Sequence, residues 1–143
     1  MISFPLRKFG YQSYLKTGAG LEAIGQYNFS NKSALLLQIT FASYRIRDGL
    51  SPYPGNLLQL LSLKGGYRYQ FGASGFFIEG LAGTDIDLAD GFSTISFTLG
   101  AVKRFTVRED YFIDVGIDYI DGDAERRLNI KGVFSLLRRP KEK

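Results

Sequence analysis

From residue 17 to residue 137, apolar and polar side chains alternate with a period of two, and no segment sustains a helical period. A chain patterned this way must fold as strands with two chemically distinct faces, because successive side chains of a strand point to opposite sides. Seven stretches carry the pattern: 17–29, 34–46, 57–71, 76–88, 94–106, 111–120 and 126–137. An eighth strand is expected near 4–14, where Phe9, Tyr11 and Ser13 alternate with Lys8, Gly10 and Gln12, although Pro5 interrupts it. The connections 30–33 (SNKS), 72–75 (GASG) and 107–110 (VRED) are tight, whereas 47–56 (RDGLSPYPGN), 89–93 and 121–125 are mostly longer and more polar. Tight and long connections take turns along the chain. An up-and-down antiparallel meander would therefore gather the tight turns at one end, and closing it into a barrel of about eight strands removes its unpaired edges.

One face of this meander is apolar almost throughout; Lys103 is its one charged residue. The other face carries Glu22, Lys64, Arg68, Glu79, Asp85, Asp87, Arg104, Asp114, Asp118, Arg127 and Lys131. Alternation does not say which face is wet. A soluble barrel would turn the apolar face inward, and a membrane barrel would turn it outward.

Three features favour the outward arrangement. An eight-stranded barrel has a lumen only just wide enough for side chains, and the Leu, Ile, Phe and Tyr of the apolar face would overfill it. The charged face also carries Gly18, Gly20, Ala34, Ala42, Ser62, Gly66, Gly83, Ser96, Gly100, Gly116 and Ser135, small residues that make room among long ones. The chain has 17 glycines, where average usage of ~7% would place about ten. The second feature is charge order. Lys64 and Arg68 lie one strand from Glu79 and Asp85, and Asp114 and Asp118 lie between the strand of Arg104 and that of Arg127 and Lys131. Buried charges need such pairing, though exposed sheets carry cross-strand pairs as well. The third is the placement of rings. Tyr27, Phe29, Tyr69, Phe71, Phe76, Phe105 and Tyr111 crowd the three tight turns, with Phe77 and Phe112 beside them. A girdle of this kind is expected at a bilayer interface, and aromatic pairs near hairpin turns are its ordinary alternative.

Composition excludes much chemistry. There is no Cys and no His, which removes disulfides, thiolate zinc sites and every Ser-His or Cys-His arrangement. Ser62 with Lys64 is a conceivable nucleophile pair, but lumen packing explains both residues more simply. Asp85, Asp87, Asp90, Asp121 and Asp123 fall near one barrel end in a spacing that matches no EF-hand, and Asp is an ordinary turn residue. No catalytic residue, cofactor or metal site is therefore assigned. The net charge of +4 is carried by the ends: the first sixteen residues and the tail 138–143 each hold +3, which leaves 17–137 at −2. That distribution does not suit a nucleic-acid face. Residues 1–10 (MISFPLRKFG) contain no apolar run of signal-peptide length.

The stretches GAGLEAIGQYNF (18–29), LSLKGGYRYQF (61–71), FFIEGLAGTD (76–85), STISFTLGAVKRF (93–105), YFIDVGIDY (111–119) and LNIKGVFSLL (128–137) together resemble the small outer-membrane β-barrels of Gram-negative bacteria, the OmpA/OmpX-like family. The resemblance implies an N-terminal segment at 1–16, a transmembrane barrel at 17–137 and a basic tail at 138–143. It implies a monomer in the outer membrane, in contact with lipid and with other envelope proteins, the latter through the 47–56 loop. The role expected is structural or interactive, without catalysis. Ten residues (Glu22, Lys64, Arg68, Glu79, Asp85, Arg104, Asp114, Asp118, Arg127 and Lys131) are expected to form an ion network that plugs the lumen. The alternative is a soluble, lipocalin-like barrel binding a small apolar ligand, without the Gly-x-Trp signature because the chain has no Trp. A truncated or designed barrel is a third reading.

Overall fold

The structure is a computed structural model that describes residues 1–6, 15–46, 57–72, 75–108, 111–122 and 126–136. Eight strands follow one another: β1 (Ile2–Leu6), β2 (Leu15–Asn28), β3 (Ser33–Ile46), β4 (Leu57–Phe71), β5 (Phe76–Asp87), β6 (Ser93–Arg108), β7 (Tyr111–Gly122) and β8 (Arg126–Leu136). Each pairs antiparallel with its neighbour in sequence, and β1 pairs with β8 to close an up-and-down barrel. The loop at 47–56 and the tail 138–143 lie outside the described residues.

The alternation becomes an inside and an outside. Along β3 and β7 buried and exposed residues take turns almost without exception. Leu21 is 79% exposed and Leu99 65%, whereas Lys131 is 2% exposed and Glu79 1%. The barrel is thus turned inside out relative to a water-soluble globule: its charges fill the interior and its aliphatic side chains cover the wall.

Small residues on the inner face let the strands close this tightly. A Cβ on Gly83 would lie 2.7 Å from the Lys64 Cα and still nearer the Leu63 carbonyl oxygen, so β4 and β5 approach as they do only because Gly83 has none. At the tight end, Gly72 and Gly75 adopt positive φ (60° and 66°), the left-handed conformation that lets the β4–β5 connection reverse direction.

The first strand differs from the sequence expectation of 4–14. It lies at Ile2–Leu6 with Pro5 inside it, and residues 7–14 are outside the described part. The position of the proline explains why it is tolerated. Met1 and Gly20 exchange both backbone hydrogen bonds at 3.0 Å, so alternate residues Met1, Ser3 and Pro5 direct their peptide groups toward β2. The β1–β2 register runs through Ile2↔Ala19 and Ser3↔Gly18, and the missing Pro5 N–H costs nothing in the β1–β8 ladder. A second irregularity changes a facing. A bulge between Leu15 and Gly18 turns Leu15 inward, where it packs with Ala42, Tyr44, Ile46 and Leu58 as an apolar cap over the long-loop end of the lumen.

Candidate functional site

Below this cap the lumen is filled by charged side chains. The ten expected lumen residues comprise five acids and five bases, and they fall into two linked groups. In the first, Arg104 Nε donates to Asp114 Oδ1 at 2.7 Å and Arg68 Nη1 donates to Asp114 Oδ2 at 3.0 Å. Arg68 Nε also donates to Glu79 Oε1 at 2.7 Å. Glu79 accepts in turn from Lys131 Nζ at 2.8 Å, and Lys131 lies 3.0 Å from Asp118 Oδ2. An unbroken chain of charge therefore runs from Arg104, near the tight-turn end, to Asp118 deep in the barrel.

The second group sits under the apolar cap. Arg127 is ion-paired with Asp85, and Lys64 lies 3.7 Å from the same carboxylate while donating to Thr98 Oγ1 at 2.9 Å. Glu22 links back to the first group: it accepts from Gln38 Nε2 at 2.6 Å through one oxygen, while its other oxygen lies 3.9 Å from Lys131 Nζ and has no hydrogen-bond partner among the described residues. Five acids against five bases in so narrow a space balance formally, which buried charge requires.

Several members of the network lie on the same inner face but were not singled out by charge. The Tyr44 hydroxyl donates to Ser3 Oγ at 3.1 Å and accepts from Arg127 Nη1 at 3.2 Å, tying β3, β1 and β8 together. Gln26 Oε1 accepts from Arg68 at 2.8 Å. Phe77 and Phe112 stand beside girdle residues in the chain, yet they face inward: the Arg104 guanidinium lies 5.0 Å from the Phe77 ring centre and 5.2 Å from that of Phe112. The signal for all of them was their parity along the strand, since each shares the facing of the charges.

The seven expected girdle residues, Tyr27, Phe29, Tyr69, Phe71, Phe76, Phe105 and Tyr111, are all exposed on the outer wall toward the tight-turn end. They form part of a ring with Tyr67 and Phe134: Phe29 packs on Tyr67 at 6.0 Å, Tyr69 edge-on to Phe71 at 5.2 Å and Tyr111 on Phe134 at 5.8 Å. A sparser set, Phe4, Phe41, Phe92 and Phe97, is exposed nearer the other end, and aliphatic side chains fill the band between.

The loop carboxylates do structural work. Asp87 Oδ1 accepts from the Ala89 N–H and Asp90 Oδ1 from the Phe92 N–H, both at ends of the β5–β6 turn, and Asp121 pairs with Arg126 at 3.3 Å. Asp123 lies outside the described residues. Among the described residues no three metal-ligating side chains converge. The Lys64 ammonium is directed at Thr98 and Asp85, and Ser62 is buried beside it.

Comparison with protein-family models, with curated proteins and with solved structures finds no match to this chain. Fold and site together define its class: an eight-stranded antiparallel β-barrel with a charged, ion-paired interior and an apolar outer wall.

Proposed function

We propose that this chain is a bilayer-spanning β-barrel of the outer-membrane type, similar to the OmpA/OmpX-like family, with a structural or surface-interaction role and no catalysis. The observation that carries the reading is the inverted polarity. Lys131, Glu79, Asp114 and Asp118 are buried on the axis while Leu21, Leu37, Ile95, Leu99 and Ile117 stand exposed on the wall. In water that wall would be an apolar patch far larger than the few hundred Å² usual for a soluble monomer. In hydrocarbon it is the expected surface, and a closed ladder meets the demand that backbone groups be satisfied internally. Strands β2 to β8 have 11 to 16 residues, enough for the ~9–11 a tilted strand needs to cross a bilayer. Two bands of rings flanking an aliphatic belt match the girdles of such barrels.

The packed ion network argues for a plug rather than a pore. The partners this reading implies are membrane lipid and other envelope proteins, engaged as a monomer in the outer membrane. A soluble carrier of an apolar ligand would need the apolar face turned inward, opposite to the burial described above.

The test is to refold urea-solubilised chain with and without detergent micelles and to compare boiled and unboiled samples by SDS electrophoresis. A heat-modifiable folded band that requires micelles supports the reading. A compact, β-rich, monomeric fold in buffer alone overturns it.

A further inference from the structure

On the tight-turn side the lumen ends in a cavity of about 250 Å³. Its described walls come from β2 to β6 and from the β2–β3 turn, so the cavity forms without β1 or β8. Strand parity makes the room. Ala34 on β3 pairs with Asn28 on β2 and with Arg68 on β4, and all three belong to the inward-facing set. The Ala34 side chain stops at Cβ, which leaves open the space that a longer side chain in the same row would fill.

Among the described residues that line this cavity, three are cations, Lys32, Arg68 and Arg104, and none is an acid. The carboxylates that serve the arginines lie deeper: Asp114 and Glu79 are each 1% exposed, whereas the Arg104 side chain is 16% exposed. Arg104 uses Nε and Nη2 on Asp114, at 2.7 and 2.8 Å, and its Nη1 has no acceptor among the described residues. The rings of Phe77 and Phe112 flank its guanidinium and fix the direction of that spare donor. Lys32 makes no ion pair among the described residues. Its backbone is pinned at the mouth, since its N–H donates to Ser30 Oγ at 3.2 Å and its carbonyl accepts from the Gln70 N–H at 2.7 Å. Gln26 donates to Asn28 Oδ1 at 2.6 Å, which leaves the Asn28 amide nitrogen as a further donor at the rim.

These groups select an occupant. A cation is repelled here, and an apolar group strands the donors without partners. A terminal phosphate brings three acceptor oxygens and a charge approaching that of a dianion, enough to meet all three cations. We propose that the cavity binds a terminal phosphate group, carried either by a soluble phosphorylated solute or by the headgroup of a lipid in the leaflet at the tight-turn end. Below it the ion-paired network closes the lumen, so the site is a dead end that binds and does not conduct. The lipid source rests on the bilayer reading; the phosphate site itself does not.

The test titrates protein refolded in uncharged micelles, and in buffer if it folds there, with glycerol phosphate in a calorimeter. Ionic strength is held constant with chloride. Saturable binding is expected. Arg104→Gln and Lys32→Gln should each weaken it at least tenfold. Ala34→Leu removes no charge, yet it should abolish binding while the folded, heat-modifiable band persists. Lys103→Gln removes a cation of the outward face on β6 and should leave binding unchanged. Titrating phosphatidic acid into the micelles, with phosphatidylcholine as control, separates the sources. Saturation by phosphatidic acid alone assigns the site to lipid, and saturation by glycerol phosphate alone assigns it to a soluble solute. Saturation by neither would overturn the proposal, as would equal binding of phosphatidylcholine, equal losses in Lys103→Gln and Lys32→Gln, or parental affinity in Ala34→Leu. Binding by protein folded in buffer would keep the site and discard the bilayer reading; folding confined to micelles without binding would do the reverse.

Discussion

Lys131 on β8 reaches across the lumen to Glu79 on β5, donating at 2.8 Å between residues 52 apart in the chain. Both side chains are within 1% of complete burial, and Lys131 also lies 3.0 Å from Asp118. Opposite walls of the barrel are thus held by one ammonium group that Glu79 and Asp118 share at close range, with Glu22 3.9 Å away. Replacing Lys131 by Met leaves Asp118 without its cation and Glu79 with Arg68 alone, and removing one partner of a buried pair costs about 3–5 kcal/mol. The expected outcome is a lower urea midpoint and a lower unfolding temperature of the heat-modifiable band. Adding Asp118→Asn to Lys131→Met should recover part of the loss, because Asp118 is the acid left without a cation, and the double-mutant cycle measures the coupling.

Asp114 serves two arginines, Arg104 at 2.7 Å and Arg68 at 3.0 Å. Its loss should outweigh the loss of either arginine's contact to it. Asp114→Asn is expected to destabilise by about 3 kcal/mol, since it leaves the buried Arg68 and the partly buried Arg104 short of charge. Arg104 is 16% exposed, and solvent screens it, so Arg104→Gln should cost about 1 kcal/mol. Equal effects in chemical denaturation would mean that the two arginines do not depend on this carboxylate.

The outer wall separates a bilayer from water directly. Leu99 lies near the middle of β6 and Phe105 nearer its tight-turn end, and both side chains are exposed. In a lipid-facing barrel Leu99→Arg should cost about 2–4 kcal/mol and Phe105→Arg about 0–1 kcal/mol, because the penalty depends on depth. Refolding free energies in lipid vesicles would show this gradient. In a water-exposed barrel both substitutions would be neutral.

Gly83 and Gly80 sit on one strand with opposite facings. A Cβ at Gly83 meets the backbone of β4, whereas one at Gly80 meets nothing within 4 Å among the described residues. Gly83→Val should therefore destabilise by about 1–3 kcal/mol through overpacking, while Gly80→Val should stay within about 0.5 kcal/mol of the parent. Thermal unfolding of the two variants side by side tests whether close approach of β4 and β5 is the reason for the glycine.

Much of the wall could be read in advance, because alternation is a property of the extended backbone itself. The boundaries expected for β4, 57–71, are those observed, and β3 and β5 differ by a residue at one end. Reading failed where local geometry departs from plain alternation. Leu15 faces inward because of a bulge, which composition does not signal. The first strand was expected at 4–14 from the alternation of Phe9, Tyr11 and Ser13, with Pro5 as an interruption; it lies at Ile2–Leu6, and the proline's harmlessness depends on which neighbour its peptide group faces.

The ion network divides in the same way. Arg68 with Glu79 and Arg104 with Asp114 join strands adjacent in the chain, so strand order alone brings their charges together. The pairs Lys131–Glu79, Arg68–Asp114 and Arg127–Asp85 cross the lumen between strands that are never neighbours. By itself the sequence determined the number of long strands, their two faces and which residues share the charged one, since each follows from the two-residue repeat and the turns between repeats. The tertiary structure decided which charges meet across the axis and which way Leu15 faces. The first depends on how far the strands are staggered when the sheet closes, and the second on the bulge between Leu15 and Gly18.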